Sequence, residues 1–187
     1  PDNYPAGLVG SGVKICDIQT SNGIEKLAVI NLMGQYGMPT VENPFNWAKK
    51  LVTNLQEQNI KNIFLDFHAE VTSEKRIMLM MFKNQISAIC GTHTHVGTDD
   101  LQIFENTAYL TDIGLTGCRD NVIGMDSKIP IQKVTTGIGG HFEVPNSCKS
   151  ILQMLVVDID DGKASSAFKI KKYCNNSKLF ITEAFID

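Results

Sequence analysis

Runs of apolar positions, some alternating and some continuous, divide the chain into short elements. Val13 to Ile18 and Leu27 to Leu32 are β-rich and flank the turn signal Ser21-Asn22-Gly23, which predicts a hairpin. Gly34 to Asn43 is a loop punctuated by Gly37 and Pro39. Asn43 then offers a cap and Pro44 a first-turn residue for a helix from about Phe45 to Gln58. Its Phe45, Ala48, Leu51, Val52 and Leu55 fall on one stripe. Asn62 to Phe67 is apolar on both faces, as buried parallel strands are. Thr72 or Ser73 can cap the next helix, which carries Glu74 in its first turn and runs to about Lys83. Ile86 to Cys90 is again wholly apolar. Strand, helix, strand in this order is a right-handed βαβ unit, and the fold class is α/β.

Beyond it, Leu101 to Phe104 and Thr107 to Thr111 read as short strands, and Gly114 to Gly124 as loop. Ser127 to Thr136 suits helix or strand, since Pro130 is tolerated near a helix start or at a sheet edge. Phe142 to Val144, Ile151 to Ile159 and Ala164 to Tyr173 read as strands, the last two joined by Asp160-Asp161-Gly162. The segment Leu179 to Ile186 carries no clear assignment.

A length of 187 residues with 43% hydrophobic and 20% charged content fits one globular domain. A net charge of -3 leaves no electrostatic footprint for nucleic acid, and no apolar run is long enough to span a membrane. The five cysteines, Cys16, Cys90, Cys118, Cys148 and Cys174, are an odd number without a CxxC pair. This argues against a disulfide framework and a cysteine zinc site, and for a reducing, cytoplasmic setting.

The chemistry gathers at strand ends. Three of four histidines stand there: His68 after Ile63 to Phe67, and His93 and His95 in Gly91-Thr92-His93-Thr94-His95. In an extended segment His93 and His95 share a face, and one βαβ crossover returns the chain to the edge that carries His68. Ligands in open α/β sheets bind at that edge, and neutral imidazoles there suit zinc, manganese or iron. Glu70 is a candidate for orienting an imidazole or for capping the next helix, and Asp112 is a candidate metal ligand or loop cap. Asp66 is expected on the opposite face, and Thr92 and Thr94 are expected to face away as structural residues. His141, in Gly139-Gly140-His141, reads as a loop residue without a partner.

Several stretches together resemble calcineurin-like metallophosphoesterases, and within them the YmdB-like branch. They are Asp66-Phe67-His68-Ala69-Glu70, the Gly91 to His95 ending, Thr107 to Gly117, Asn3-Tyr4-Pro5, Ala28 to Gly34 and Asn121 to Gly124. The resemblance runs from Pro1 to about Val144. It implies a layered α/β/β/α sandwich, incomplete on its amino-terminal side, with a metallophosphoesterase-like portion in 1–148 and a carboxyl-terminal hairpin or extension in 149–187. It also implies two divalent or trivalent transition metal ions (Fe, Mn or Zn), with His68 and His93 on one ion and His95 on the other. The reaction implied is hydrolysis of a phosphodiester, 2′,3′-cyclic nucleotides especially, the ions stabilising charge on the phosphoryl oxygens.

The family's GD, carboxylate–Asn and GNH motifs, which supply the bridging carboxylate and the general-acid histidine, are not in this sequence. The expectation is a carboxyl-terminal portion whose amino-terminal segment is supplied in cis or as a separate chain. No catalytic residue is then assigned here, the chain alone has little hydrolysis, and an unpaired sheet edge drives self-association. Two other readings stand beside it. One is a catalytically inert regulatory or scaffold module with at most a weakly held metal. The other is an unrelated hydrolase with a three-histidine zinc site.

Overall fold

The computed structural model describes all residues except Asn22, Ser177 and Asp187. Strands β1 (Val13–Thr20) and β2 (Gly23–Met33) form the expected hairpin, with Thr20 opposite Gly23; the tip residue Asn22 lies outside the described residues. Helix α1 (Pro44–Glu57) starts where the sequence places it, because the Asn43 side-chain oxygen accepts hydrogen bonds from the Phe45 and Asn46 N–H groups. Strand β3 (Asn62–His68), helix α2 (Thr72–Phe82) and strand β4 (Ala88–Thr92) complete the βαβ unit.

Two details differ. Neither Thr72 nor Ser73 caps α2: its N-cap is Val71, without a side-chain bond. The Glu74 carboxylate of its first turn is buried and accepts from the Gln35 and Tyr36 N–H groups, which ties the helix start to the loop after β2. Strand β4 also begins two residues later than expected. The Gln85 and Ile86 N–H groups still bond the Phe82 carbonyl, so the turn that ends α2 consumes the first residues of the apolar run.

The remaining elements are β5 (Gln102–Phe104), β6 (Thr107–Leu110), β7 (Gly117–Cys118), α3 (Lys128–Thr136), β8 (Ser150–Asp160), β9 (Lys163–Tyr173), β10 (Leu179–Glu183) and β11 (Phe185–Ile186). They settle the ambiguous Ser127 to Thr136 stretch as a helix, in which Pro130 stands within the first turn. Phe142 to Val144 forms no strand and is exposed. Seven strands in the order β1-β2-β3-β4-β6-β5-β11 make a sheet with parallel β2, β3, β4 and β6 at its centre. A second, antiparallel sheet has the order β10-β9-β8-β7.

Side-chain alternation distributes the core. Ile63, Leu65 and Phe67 of β3 meet Ala48, Val52 and Leu55 of α1 and Met78, Leu79 and Phe82 of α2 on one face of the large sheet. Ala88, Ala108 and Leu110 on the other face meet Ala164 and Ala167 of β9, with Leu155 and Val157 of β8 packed against them. The layers are therefore helices, large sheet and small sheet, while α3 buries no residue. Among the described residues no helix is long and apolar enough to cross a membrane.

One expectation about the cysteines is overturned. Cys118 and Cys148 are joined by a disulfide across 30 residues, while Cys16, Cys90 and Cys174 are free. Pairing is possible because β7 aligns Cys118 with Ser150 and so brings residues 117 and 118 beside the start of β8. The bridge closes the loop that carries Asn121 to Gly124. Replacing both cysteines by serine is expected to cost about 3–4 kcal/mol from loop-closure entropy alone. Urea unfolding with and without a reductant measures it, and a native protein insensitive to reductant would exclude the bridge.

Candidate metal-binding histidine site

Parallel pairing of β3 and β4 places His68 opposite Thr92 and Asp66 opposite Cys90, at the carboxyl ends of both strands. Asp66 and His68 lie two residues apart and so share a face, the one opposite Ile63, Leu65 and Phe67. This corrects the expectation that Asp66 turns away. Thr92 likewise does not face away: its hydroxyl sits between the two, 2.8 Å from Asp66 Oδ1 and 3.0 Å from His68 Nδ1. Asn31, opposite Asp66 on β2, donates to Asp66 Oδ2 at 2.8 Å. Sequence reasoning missed Asn31, Asp66 and Thr92 as a group, although the period of two already links Asp66 to His68.

This row of bonds fixes a tautomer. The Thr92 hydroxyl has one proton, which goes to the Asp66 carboxylate, so His68 Nδ1–H must donate to the Thr92 oxygen. The lone pair is then on His68 Nε2. Burial and the neighbouring His93 hold the His68 pKa below the ordinary histidine value, which keeps the ring neutral. The same logic applies to His93. Its Nε2 is 3.0 Å from Glu70 Oε2, and a carboxylate only accepts, so this nitrogen carries a proton. Its Nδ1 lies 3.2 Å from His68 Nε2.

His95 is placed apart. Its Nδ1 is 2.7 Å from the Ile123 carbonyl, which also only accepts, and this leaves His95 Nε2 as the free nitrogen. The chain after β4 is not extended, contrary to the sequence reading. His93 has φ 112° and His95 φ 63°, and Ile123, β-branched, has φ 46°. Each is a strained conformation that only surrounding contacts can hold.

Asp112 supplies many of those contacts. Its Oδ2 accepts from the Thr94 N–H at 3.0 Å and from Lys75 Nζ at 3.0 Å, and its Oδ1 accepts from the Gly114 N–H at 2.9 Å. Both Asp112 and Lys75 side chains are 1% exposed. Gly91 permits the same close fit: a Cβ there would lie 1.7 Å from the Thr111 carbonyl oxygen. Asp112 thus caps the histidine loop. His141 is exposed in its loop.

The donor set fits a metal ion in part. Two nitrogens that each bind one ion at about 2.0–2.1 Å lie roughly 3.0–3.4 Å apart, which is the spacing of the His68–His93 pair. Each of those rings has its other N–H on an oxygen acceptor, the arrangement that metal-ligating histidines show. Among the described residues, however, no three His, Cys, Asp or Glu side chains converge to hold an ion. Cys90 adds no donor, since burial pushes its thiol up to about 12.

Comparison with known proteins places the chain. The family model described as YmdB-like protein matches residues 1–172, running past Val144 through most of β9. The chain is 40% identical over 177 residues to the 2′,3′-cyclic-nucleotide 2′-phosphodiesterase of Bacillus subtilis (strain 168), covering 94% of this chain and 64% of that protein. Among solved structures it is similar to a hypothetical protein from Thermus thermophilus, with TM-score 0.80, 26% identity and coverage of 98% of this chain and 66% of that one. It is also similar to a novel phosphatase from Mycoplasma pneumoniae, with TM-score 0.71, 28% identity and coverage of 98% and 62%. The chain therefore spans less than two thirds of the length of the B. subtilis relative.

Proposed function

The chain belongs to the YmdB-like protein family, and from that premise we propose that it supplies the histidine half of a metal-dependent phosphodiesterase site that hydrolyses 2′,3′-cyclic nucleotides. One observation carries the metal part. His68 Nε2 and His93 Nδ1 face each other at 3.2 Å, with their remaining N–H groups engaged by Thr92 and Glu70. A proton on one of these nitrogens bridges the pair as a hydrogen bond, and a metal cation can take that proton's place between them. The substrate class is drawn from the name of the B. subtilis relative.

In this reading His68 and His93 hold one ion and His95, through its free Nε2, contributes to a second. Such ions, when bound, supply Lewis acidity toward the phosphoryl group and make water a better nucleophile. The residues of this chain orient the donors. Asp66 and Thr92 set the His68 ring, Glu70 sets His93, the Ile123 carbonyl sets His95, and Asp112 holds the Thr94 backbone between the two loop histidines. We assign β8 and β9 to the same unit as the histidine site, a reading supported by the packing of Leu155, Val157, Ala164 and Ala167 against Ala88, Ala108 and Leu110. With only two nitrogens close together, residues 1–187 are expected to bind metal weakly and to hydrolyse little by themselves.

The test is zinc or manganese titration by calorimetry. It is paired with hydrolysis of bis(p-nitrophenyl) phosphate and 2′,3′-cyclic AMP by residues 1–187 alone and after joining to the part of the B. subtilis relative that this chain does not span. Hydrolysis gained only in the joined protein and lost with chelator is the expected result. An absence of metal binding in the joined protein would favour the inert-module reading. Thr92→Val removes the acceptor that fixes His68 Nδ1–H and is expected to lower metal affinity about 10- to 100-fold, with Thr92→Ser restoring it.

A further inference from the structure

A cleft of about 360 Å³ opens beside His95, between the histidine loop and the second sheet. Ligand pockets begin at about this size. Its floor follows from the register of β8 and β9: Tyr173 lies opposite Ile151 and Lys171 opposite Gln153, so both cross-strand pairs line the cleft. Arg119 closes one side. Its guanidinium carbon is 4.8 Å from the Tyr173 ring centroid, and its backbone N–H bonds the Lys149 carbonyl next to the Cys118–Cys148 bridge.

The charge of this cleft departs from that of the chain. The whole sequence has 20 acidic and 17 basic residues. The cleft has Arg119 and Lys171 and, among the described residues, no Asp or Glu in its lining. The neighbouring Asp120 is turned to the backbone, where its carboxylate accepts from the Lys149 N–H. A third cation, Lys169, borders the adjoining hollow with Asp99. Its pKa is lowered by burial and by Lys171, and its Nζ bonds the Thr98 carbonyl.

We propose that this cleft binds the nucleoside side of a nucleotide, with the base against the Arg119–Tyr173 pair and Lys171 near its phosphate oxygens. The assignment rests on the phosphodiesterase reading, because His95 lines the cleft and would put the phosphoryl group at the histidines. Base recognition by aromatic rings and guanidinium planes is the general solution for unpaired nucleotides. A bare phosphate would use the two cations but would leave Tyr173, Leu115 and Ile151 with nothing to contact.

The experiment uses residues 1–187 in chelator, so that no metal ion contributes, with binding of 3′-AMP, adenosine and inorganic phosphate measured by NMR titration. The cleft resonances of Asn121 and Gln153 should move with 3′-AMP, and equimolar phosphate should not displace it. Arg119→Ala and Lys171→Gln should each weaken 3′-AMP about tenfold, the size expected for losing one stacking or charge contact, with unchanged melting temperature. Because both side chains reach solvent, a folding failure in one variant leaves the other to decide. Displacement by equimolar phosphate, or native affinity in a folded variant of either kind, would overturn the assignment. Failure of the separate zinc titration would instead remove the phosphodiesterase reading while leaving the nucleotide result intact.

Discussion

Asp112→Ala is expected to destabilise the protein by about 3–5 kcal/mol, because it strands a charged Lys75 in the interior. The pair is 3.0 Å apart with both side chains 1% exposed, and it joins α2 to the end of β6 across the large sheet. The same carboxylate accepts two backbone N–H groups, from Thr94 and Gly114, so three donors lose their acceptor at once. In a protein of this size the change corresponds to a fall in melting temperature of about 6–20 °C. The double variant Lys75→Met with Asp112→Leu should recover much of the loss, since replacing both members of a buried pair is far milder than removing one. It should not recover the loop, because Thr94 and Gly114 still lack a partner. Thermal and urea unfolding of Lys75→Met, Asp112→Leu and the double close the cycle, with Asp112→Ala measured beside them. A single-variant loss below about 1 kcal/mol would show that water or a rearranged Lys75 satisfies the charge.

The strand ends and the βαβ unit were legible because continuous apolar runs, a capping Asn43 followed by Pro44, and the crossover rule each constrain the backbone locally. The resemblance to metallophosphoesterases was legible in the same short stretches around His68 and His93, and the family match bears it out. What stayed hidden depends on long-range pairing. Asn31, Asp66 and Thr92 come from three strands and meet only through register, so no window of sequence contains them together. The turn at His93 was misread as extended because the period of two was carried past Thr92, where β4 ends and the backbone turns to φ 112° at His93. The Cys118–Cys148 bridge was missed for the same reason: its geometry is set by the pairing of β7 with β8, and spacing alone does not show it. The two-residue strand β11, inserted at the edge of the large sheet, had no periodicity to reveal it.

His93→Ala is expected to have the largest effect on function, since it removes one of the two nitrogens that stand 3.2 Å apart. Loss of an outer partner of a metal ligand typically lowers affinity 10- to 100-fold, so loss of the ligand itself should exceed about 100-fold. A graded order follows from the geometry: His93→Ala and His68→Ala most severe, Glu70→Gln and Thr92→Val intermediate, and His95→Ala sparing the first ion because its ring is engaged elsewhere, at Ile123. Proton competition gives a second readout. The His68 pKa is lowered by burial and by His93, so the folded state favours the neutral ring. Its contribution to stability and metal affinity is present above about pH 6.5, the ordinary histidine value, and is lost as pH falls through the lower folded value. Cobalt(II) absorption titrations from about pH 5 to 8 should therefore show affinity holding down to about pH 6.5 and falling only as the solution is acidified further, through the lowered folded value. Affinity in His93→Ala equal to native, or affinity that rises as the solution is acidified, would show that the imidazole pair does not hold the ion.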